Sequence, residues 1–242
     1  MSERVDILIV GAGPAGIAAA VTAGERGARV AIVDESPRLG GQFWHGSIPQ
    51  PARRWFDRLH RTKVRTYGST SVIDATPGQV TTTAGPFECE RIILACGARE
   101  LLLPFPGWTL PGVTGAGAIQ ALVHDGLDVS GQRIVVGGTG PLLLQVATEL
   151  RSRGARVVRV AEQAPLGRLI RFAAGLPWAK TTEALRLVSA RLRTSSWVEA
   201  AYGSTHVESV VVRTPSGRER IECDRVAVGY SLVPNVELAR HL

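Results

Sequence analysis

Two stretches of this chain run an apolar strand into a pair of glycines and out again into a helix: "VGAGPAGIAA" at 10–19 and "VVGGTGPLLL" at 135–144. Around the first, "DILIV" (6–10) reads as a buried strand, "AGIAAAVTAGERG" (15–27) as a helix closed by Gly27, and "RVAIVDE" (29–35) as a second strand. Around the second the same order returns, with "QRIVVGG" (132–138), "PLLLQVATELRSRG" (141–154) and "ARVVRVAEQ" (155–163). Continuous apolar strands joined by a crossover helix require a parallel sheet with its faces covered. The duplication goes further. "FECERIILACG" (87–97) and "IECDRVAVGYS" (221–231) both place Glu-Cys-acid-Arg before an apolar strand that reaches its turn. Each follows a hairpin-like region, "VTTTAGPFE" (80–88) and "ESVVVRTPSGRERIE" (208–222). The expected fold is α/β, with two modules of β-α-β, β-meander and closing strand.

The first glycine turn has the full G-x-G-x-x-G spacing of a Rossmann-type dinucleotide site. Gly11 makes the tight turn, Gly13 lets backbone approach a pyrophosphate, and Gly16 lets the helix lie close to the strand. Pro14 and Ala15 open the helix, whose free N–H groups and positive dipole end suit phosphate. Asp34, 23 residues beyond Gly11, stands where a ribose hydroxyl would be accepted, and Glu35 is the next candidate.

The second turn departs from that pattern. Gly138 and Gly140 remain, and Glu162, 24 residues beyond Gly138, is a candidate ribose acceptor for NAD(P) or another adenine nucleotide. Leu143 replaces the packing glycine. A side chain there is expected to push the helix off the strand or to shift the turn, so the second module reads as scaffold rather than nucleotide site.

In order along nearly the whole chain come the fingerprint, the acid, "GGQ" (40–42), "ACG" (95–97), the second fingerprint and the second acid. This series resembles the two-dinucleotide-binding flavoproteins of the pyridine nucleotide-disulfide oxidoreductase type. The resemblance implies FAD in the first module, approached by Gly40, Gly41, Gln42, Ala95, Cys96 and Gly97. It implies an FAD-binding domain over 1–106, an NAD(P)-binding-like domain over 107–230, and the start of a return segment at 231–242. "PFPGWTLPGVTGAGAIQALVHDG" (104–126) is similar to a narrower group: flavoprotein subunits of opine oxidases, dye-linked amino-acid dehydrogenases and hydrogen cyanide synthase. That similarity implies oxidation of a carbon–nitrogen bond of an amine, amino-acid or opine substrate, with other oxidoreductase subunits as partners and electrons leaving to a partner or membrane-linked acceptor. Two other readings stay open, an NAD(P)H-dependent flavoprotein reductase and a non-catalytic assembly protein. The group's final FAD strand, with its Gly-Asp pair, has no counterpart here, so the FAD module is expected to be incomplete and to expose a sheet edge and apolar surface.

The net charge of +7 raises the question of nucleic acid. The arginines are scattered, however, only Lys63 and Lys180 are lysines, and the dense stretch "RRWFDRLHRTKVR" (53–65) reads as an amphipathic helix with a solvated basic face. Nucleic-acid binding is not expected. Neither a membrane-length apolar run nor a signal-peptide layout is legible, which gives a cytoplasmic expectation without membrane insertion. Cys89, Cys96 and Cys223 form no C-x-x-C pair and no metal pattern, so no metal is expected. Cys96 alone sits beside a cofactor-type turn. His45 and Arg99 lie near the flavin motifs, but no constellation of acid, base and nucleophile is legible, and no residue is nominated as catalytic.

Overall fold

The computed structural model describes residues 2–42, 44, 50–175 and 191–242. The chain divides into two compact units, Met1–Arg99 with Pro234–Leu242, and Glu100–Val233.

Unit 1 opens with β1 (Glu3–Val10), α1 (Pro14–Gly24) and β2 (Val30–Val33). Pro14 at the first helical position needs no N–H partner and presets the helical φ. Gly27, at φ +85, then turns the chain in a conformation that side chains resist. All four residues of β2 are buried, as a strand covered on both faces must be. There follow α2 (Gln50–His60), β3 (Arg65–Tyr67), β4 (Val72–Thr76), β5 (Gln79–Thr82) and β6 (Gly85–Leu94). The sheet order is β3-β2-β1-β6-β5-β4, parallel as far as β6 and antiparallel beyond it. Helix α2 confirms the amphipathic reading of the basic stretch, with Leu59 buried and Arg58 stacked on Trp55 at 4.5 Å.

From Arg91 to Leu94, β6 pairs with β1, whereas β5 pairs only with Gly85–Glu88. Beside this stretch lies a largely apolar groove of about 540 Å³ lined by Ile7, Ala18, Ala19, Ala23, Ala28 and Ile93, with Thr22 and Arg26.

Short strands β7 (Ala98–Glu100) and β8 (Val113–Gly115) lead to α3 (Ala116–His124), β9 (Arg133–Gly138), α4 (Pro141–Ser152) and β10 (Arg156–Glu162). After α5 (Leu166–Ala174) come β11 (Leu192–Arg193), β12 (Trp197–Tyr202), β13 (Ser209–Thr214), β14 (Gly217–Glu222) and β15 (Arg225–Gly229). The chain ends with β16 (Leu232–Pro234) and α6 (Glu237–His241). In unit 2 the parallel sheet runs β11-β10-β9-β15-β8, and β12-β13-β14 form an antiparallel meander. Val135, Val212 and Val226 share a core between these sheets, while α3 and α4 cover the other face of the parallel one.

The units meet earlier in sequence than residue 106 because the "ELLLPFPG" stretch is tied to unit 2. The Glu100 carboxylate accepts the N–H groups of Gly117 and Ala118, at 2.8 and 3.2 Å, at the start of α3. The Pro106 carbonyl accepts Ala201 N–H at 2.8 Å, and a Cβ on Gly107 would meet the Ala201 oxygen at 2.1 Å. The return to unit 1 falls at Pro234 rather than at residue 231.

Candidate functional site: two glycine turns

In unit 1 the residues singled out from sequence converge at the C-terminal ends of β1, β2 and β6. Gly11, at φ +102, lies so close to β6 that a Cβ on it would stand 2.3 Å from the Ala95 oxygen. A Cβ on Gly16 would stand 1.8 Å from the Gly11 oxygen and 3.4 Å from the Ala95 methyl. Both positions therefore require glycine. Gly13, in extended backbone at φ −72, has nothing within 4 Å of where a Cβ would be. It caps α1, whose N-terminus has no side-chain hydrogen bond and no acidic residue in its first turn, and Ala15 on that turn is exposed. A helix end without acidic residues and with open backbone in front of it is suited to an anion.

Asp34 follows β2 and accepts Ala12 N–H on one oxygen and Ser36 N–H, at 2.8 Å, on the other. It is half-buried, and its neighbour Glu35 is exposed. Gly40 donates to the Ala12 carbonyl at 2.8 Å, and Gly41, at φ +57, lies so close that a Cβ on it would be 2.9 Å from Gly13 Cα. Gln42 is exposed on the same turn. The A-C-G turn completes the cluster, with Ala95 donating to the Val10 carbonyl at 2.7 Å and Gly97 at φ +66. Cys96 is half-buried, and burial, reinforced by the Asp34, Glu237 and Glu35 carboxylates, pushes its thiol up. Such a thiol stays protonated near neutral pH and is a poor nucleophile. Arg99 forms an exposed ion pair with Glu237 at 2.7 Å, and His45 lies outside the described residues.

The second turn is built from equivalent strands but satisfied differently. Gly138, at φ +138, sits against β15, where a Cβ would meet the Gly229 oxygen at 1.8 Å. Of the two outcomes expected from sequence for Leu143, a displaced helix or a shifted turn, the structure has a shifted turn. Leu143 is fully buried, in one core with Ile134, Val136 and Val146. Gly229 stands where unit 1 has Ala95, and a Cβ there would lie in ordinary contact with Leu143 Cδ2, at 3.8 Å. The turn itself does follow another path: Gly140 has φ +98 where Gly13 has −72. Glu162 sits beneath it, only 4% exposed. One carboxylate oxygen accepts the Thr139 hydroxyl at 2.6 Å and Ala164 N–H at 2.8 Å; the other accepts Gly140 N–H at 2.9 Å. These donors compensate the burial of the charge. They also engage the turn N–H that its counterpart, Gly13, leaves open in unit 1.

The model of the pyridine nucleotide-disulphide oxidoreductase family matches residues 5–242. The chain belongs to that family. It is 30% identical to the HcnB component of hydrogen cyanide synthase from Pseudomonas protegens, over 97% of this chain and 58% of that protein. It is 31% identical to an opine oxidase subunit from Agrobacterium tumefaciens, over 99% of this chain and 54% of that one. The chain thus spans just over half the length of these curated relatives. Thioredoxin reductase of T. acidophilum has the same fold, with a TM-score of 0.75 at 22% identity, covering 98% of this chain and 80% of that one. Among the described residues, no group of three or more His, Cys, Asp and Glu side chains could hold a metal ion, and no helix is long and apolar enough to cross a membrane.

Sequence reasoning missed Asn235. Its backbone and side chain both hold the A-C-G turn, through the carbonyls of Gly97 and Cys96. The only signal was a Pro-Asn pair at the start of the return segment.

Proposed function

We propose that this chain is the dinucleotide-binding part of an FAD-dependent oxidoreductase that oxidises the carbon–nitrogen bond of an amino acid or opine and passes electrons to a partner subunit. The observation that carries the reading is the convergence of Gly11, Gly13, Gly16, Asp34, Gly41 and Ala95 around the uncapped start of α1. The backbone N–H groups of the first turn of α1 would hold the FAD pyrophosphate, and Asp34 would accept a ribose hydroxyl. Gly40, Gly41 and the Ala95–Gly97 turn would let the rest of the cofactor approach backbone. FAD, when bound, supplies the two-electron acceptor; the protein supplies orientation and shields the site from water.

Relatives named as subunits of opine oxidase and hydrogen cyanide synthase support the substrate class and the partner. The Glu162 arrangement supports reading the second module as scaffold, because a buried carboxylate at Gly140 repels a pyrophosphate and occupies an N–H that would bind it. Titrating the protein with FAD, followed by anaerobic addition of amino acids and opines, tests the function. Yellow protein bleached by one of them supports it; a protein that takes up no flavin refutes it.

A further inference from the structure

Asn235 follows β16 and engages its backbone N–H and both polar atoms of its side chain. The backbone N–H donates to the Gly97 carbonyl at 3.0 Å, and Nδ2 donates to the Cys96 carbonyl at 2.9 Å. Oδ1 accepts the Arg99 guanidinium at 2.9 Å, and Arg99 is anchored in turn by Glu237 at 2.7 Å. A carbonyl on one side and a guanidinium on the other allow the amide one orientation only. Strand β6 ends at Leu94, so without this clamp Ala95–Gly97 is tied to the sheet chiefly through the Ala95 N–H. The cradle tolerates little movement of this turn. The Ala95 oxygen lies against Gly11 at a distance that excludes even a methyl group, and the Ala95 methyl stands beside Gly16.

We propose that Asn235 is a positioning residue for the flavin cradle: it fixes the path of Ala95–Gly97 against Gly11 and Gly16, and thereby sets the affinity for FAD. The inference rests on the FAD reading of that cradle. Loss of a pair of bonds that orders a turn corresponds to about a tenfold change in affinity.

The test uses Asn235→Ala and Asn235→Asp, with two readouts. One is the FAD dissociation constant, from the change in flavin fluorescence. The other is the rate at which a thiol reagent modifies each cysteine without FAD, resolved by peptide mass. In Asn235→Ala the dissociation constant rises about tenfold, and Cys96 reacts faster while buried Cys89 and Cys223 do not. Asn235→Asp weakens FAD at least as much, because a carboxylate then faces the Cys96 carbonyl. Arg99→Ala moves both readouts in the same direction by less. Faster Cys96 modification with unchanged FAD affinity would overturn the proposal, since the clamped turn would then not govern the cradle. So would acceleration at all three cysteines alike, which would make Asn235 a residue of the whole fold. If the unaltered protein binds no FAD, the flavin reading itself fails, and selective acceleration at Cys96 would show that the clamp nevertheless exists.

Discussion

Leu143 is fully buried beside Gly229, where a Cβ would stand in ordinary contact with the Leu143 Cδ2 at 3.8 Å. In unit 1 the equivalent positions are Ala95 and Gly16, and there a Cβ on the helix residue would strike the Gly11 oxygen at 1.8 Å. Packing is kept in both and neither helix start carries a side-chain cap; the second turn differs in that Glu162 accepts the N–H of Gly140. Leu143 is thus a core residue of the second module.

That pairing predicts costs in both directions. Leu143→Ala should lower unfolding stability by about 2–5 kcal/mol through the cavity it leaves. Gly229→Ala should lower it by about 1–3 kcal/mol, because the new methyl would come within 2.9 Å of the Ala116 Cβ. Denaturant titrations measure both. Neither substitution should confer nucleotide binding, because Glu162 still occupies the turn.

Glu162→Gln tests the lock beneath the second turn. An amide presents one acceptor where three donors converge, so its NH2 group must oppose a donor. The expected loss is about 1–3 kcal/mol. An unchanged denaturation midpoint would show that the carboxylate is not needed there.

Asp34→Ala should weaken FAD binding by about tenfold or more, through loss of a charged ribose acceptor and of the bonds to Ala12 and Ser36. Asp34→Asn should fall between Ala and the unaltered protein. Glu35→Ala, at an exposed neighbour without such bonds, should change affinity little. Equal effects at 34 and 35 would argue against the assignment of the ribose acceptor.

Cys223 provides a pH dependence. Burial pushes its thiol up to about 12, with the Asp224 carboxylate adding to the shift. The unfolded thiol ionises near pH ~8.5, so above that pH the folded state holds a proton that the unfolded state has lost. Stability contributed by the neutral thiol is therefore complete below pH ~8.5 and falls as pH rises towards 12, by up to about 1.4 kcal/mol per unit. Comparing denaturation midpoints across this window for Cys223→Ala and the unaltered protein isolates the contribution. Parallel curves would contradict it.

The β-α-β repeat was legible because buried parallel strands leave apolar runs and glycine turns leave fixed spacings. Gly11 and Gly16 could be assigned from sequence since close backbone approach tolerates no side chain. The consequence of Leu143 could not, because the path of the turn before it, with Gly140 at φ +98, is not written in the glycine spacing. Glu162 stands at a ribose acceptor's spacing; that its oxygens also accept the Thr139 hydroxyl and the Gly140 N–H could not be read from that spacing. Asn235 was invisible for a related reason: its partners, Cys96 and Gly97, lie far from it in the unit's sequence.

If the first turn serves a flavin while the second is closed, nicotinamide should have no route to the bound cofactor. An absorbance spectrum of the FAD-loaded protein, recorded anaerobically before and after NADH, tests this most directly. The expected result is a flavin band that NADH leaves unchanged and dithionite still bleaches. Rapid bleaching by NADH would contradict it, because a working nicotinamide site would then exist above Glu162.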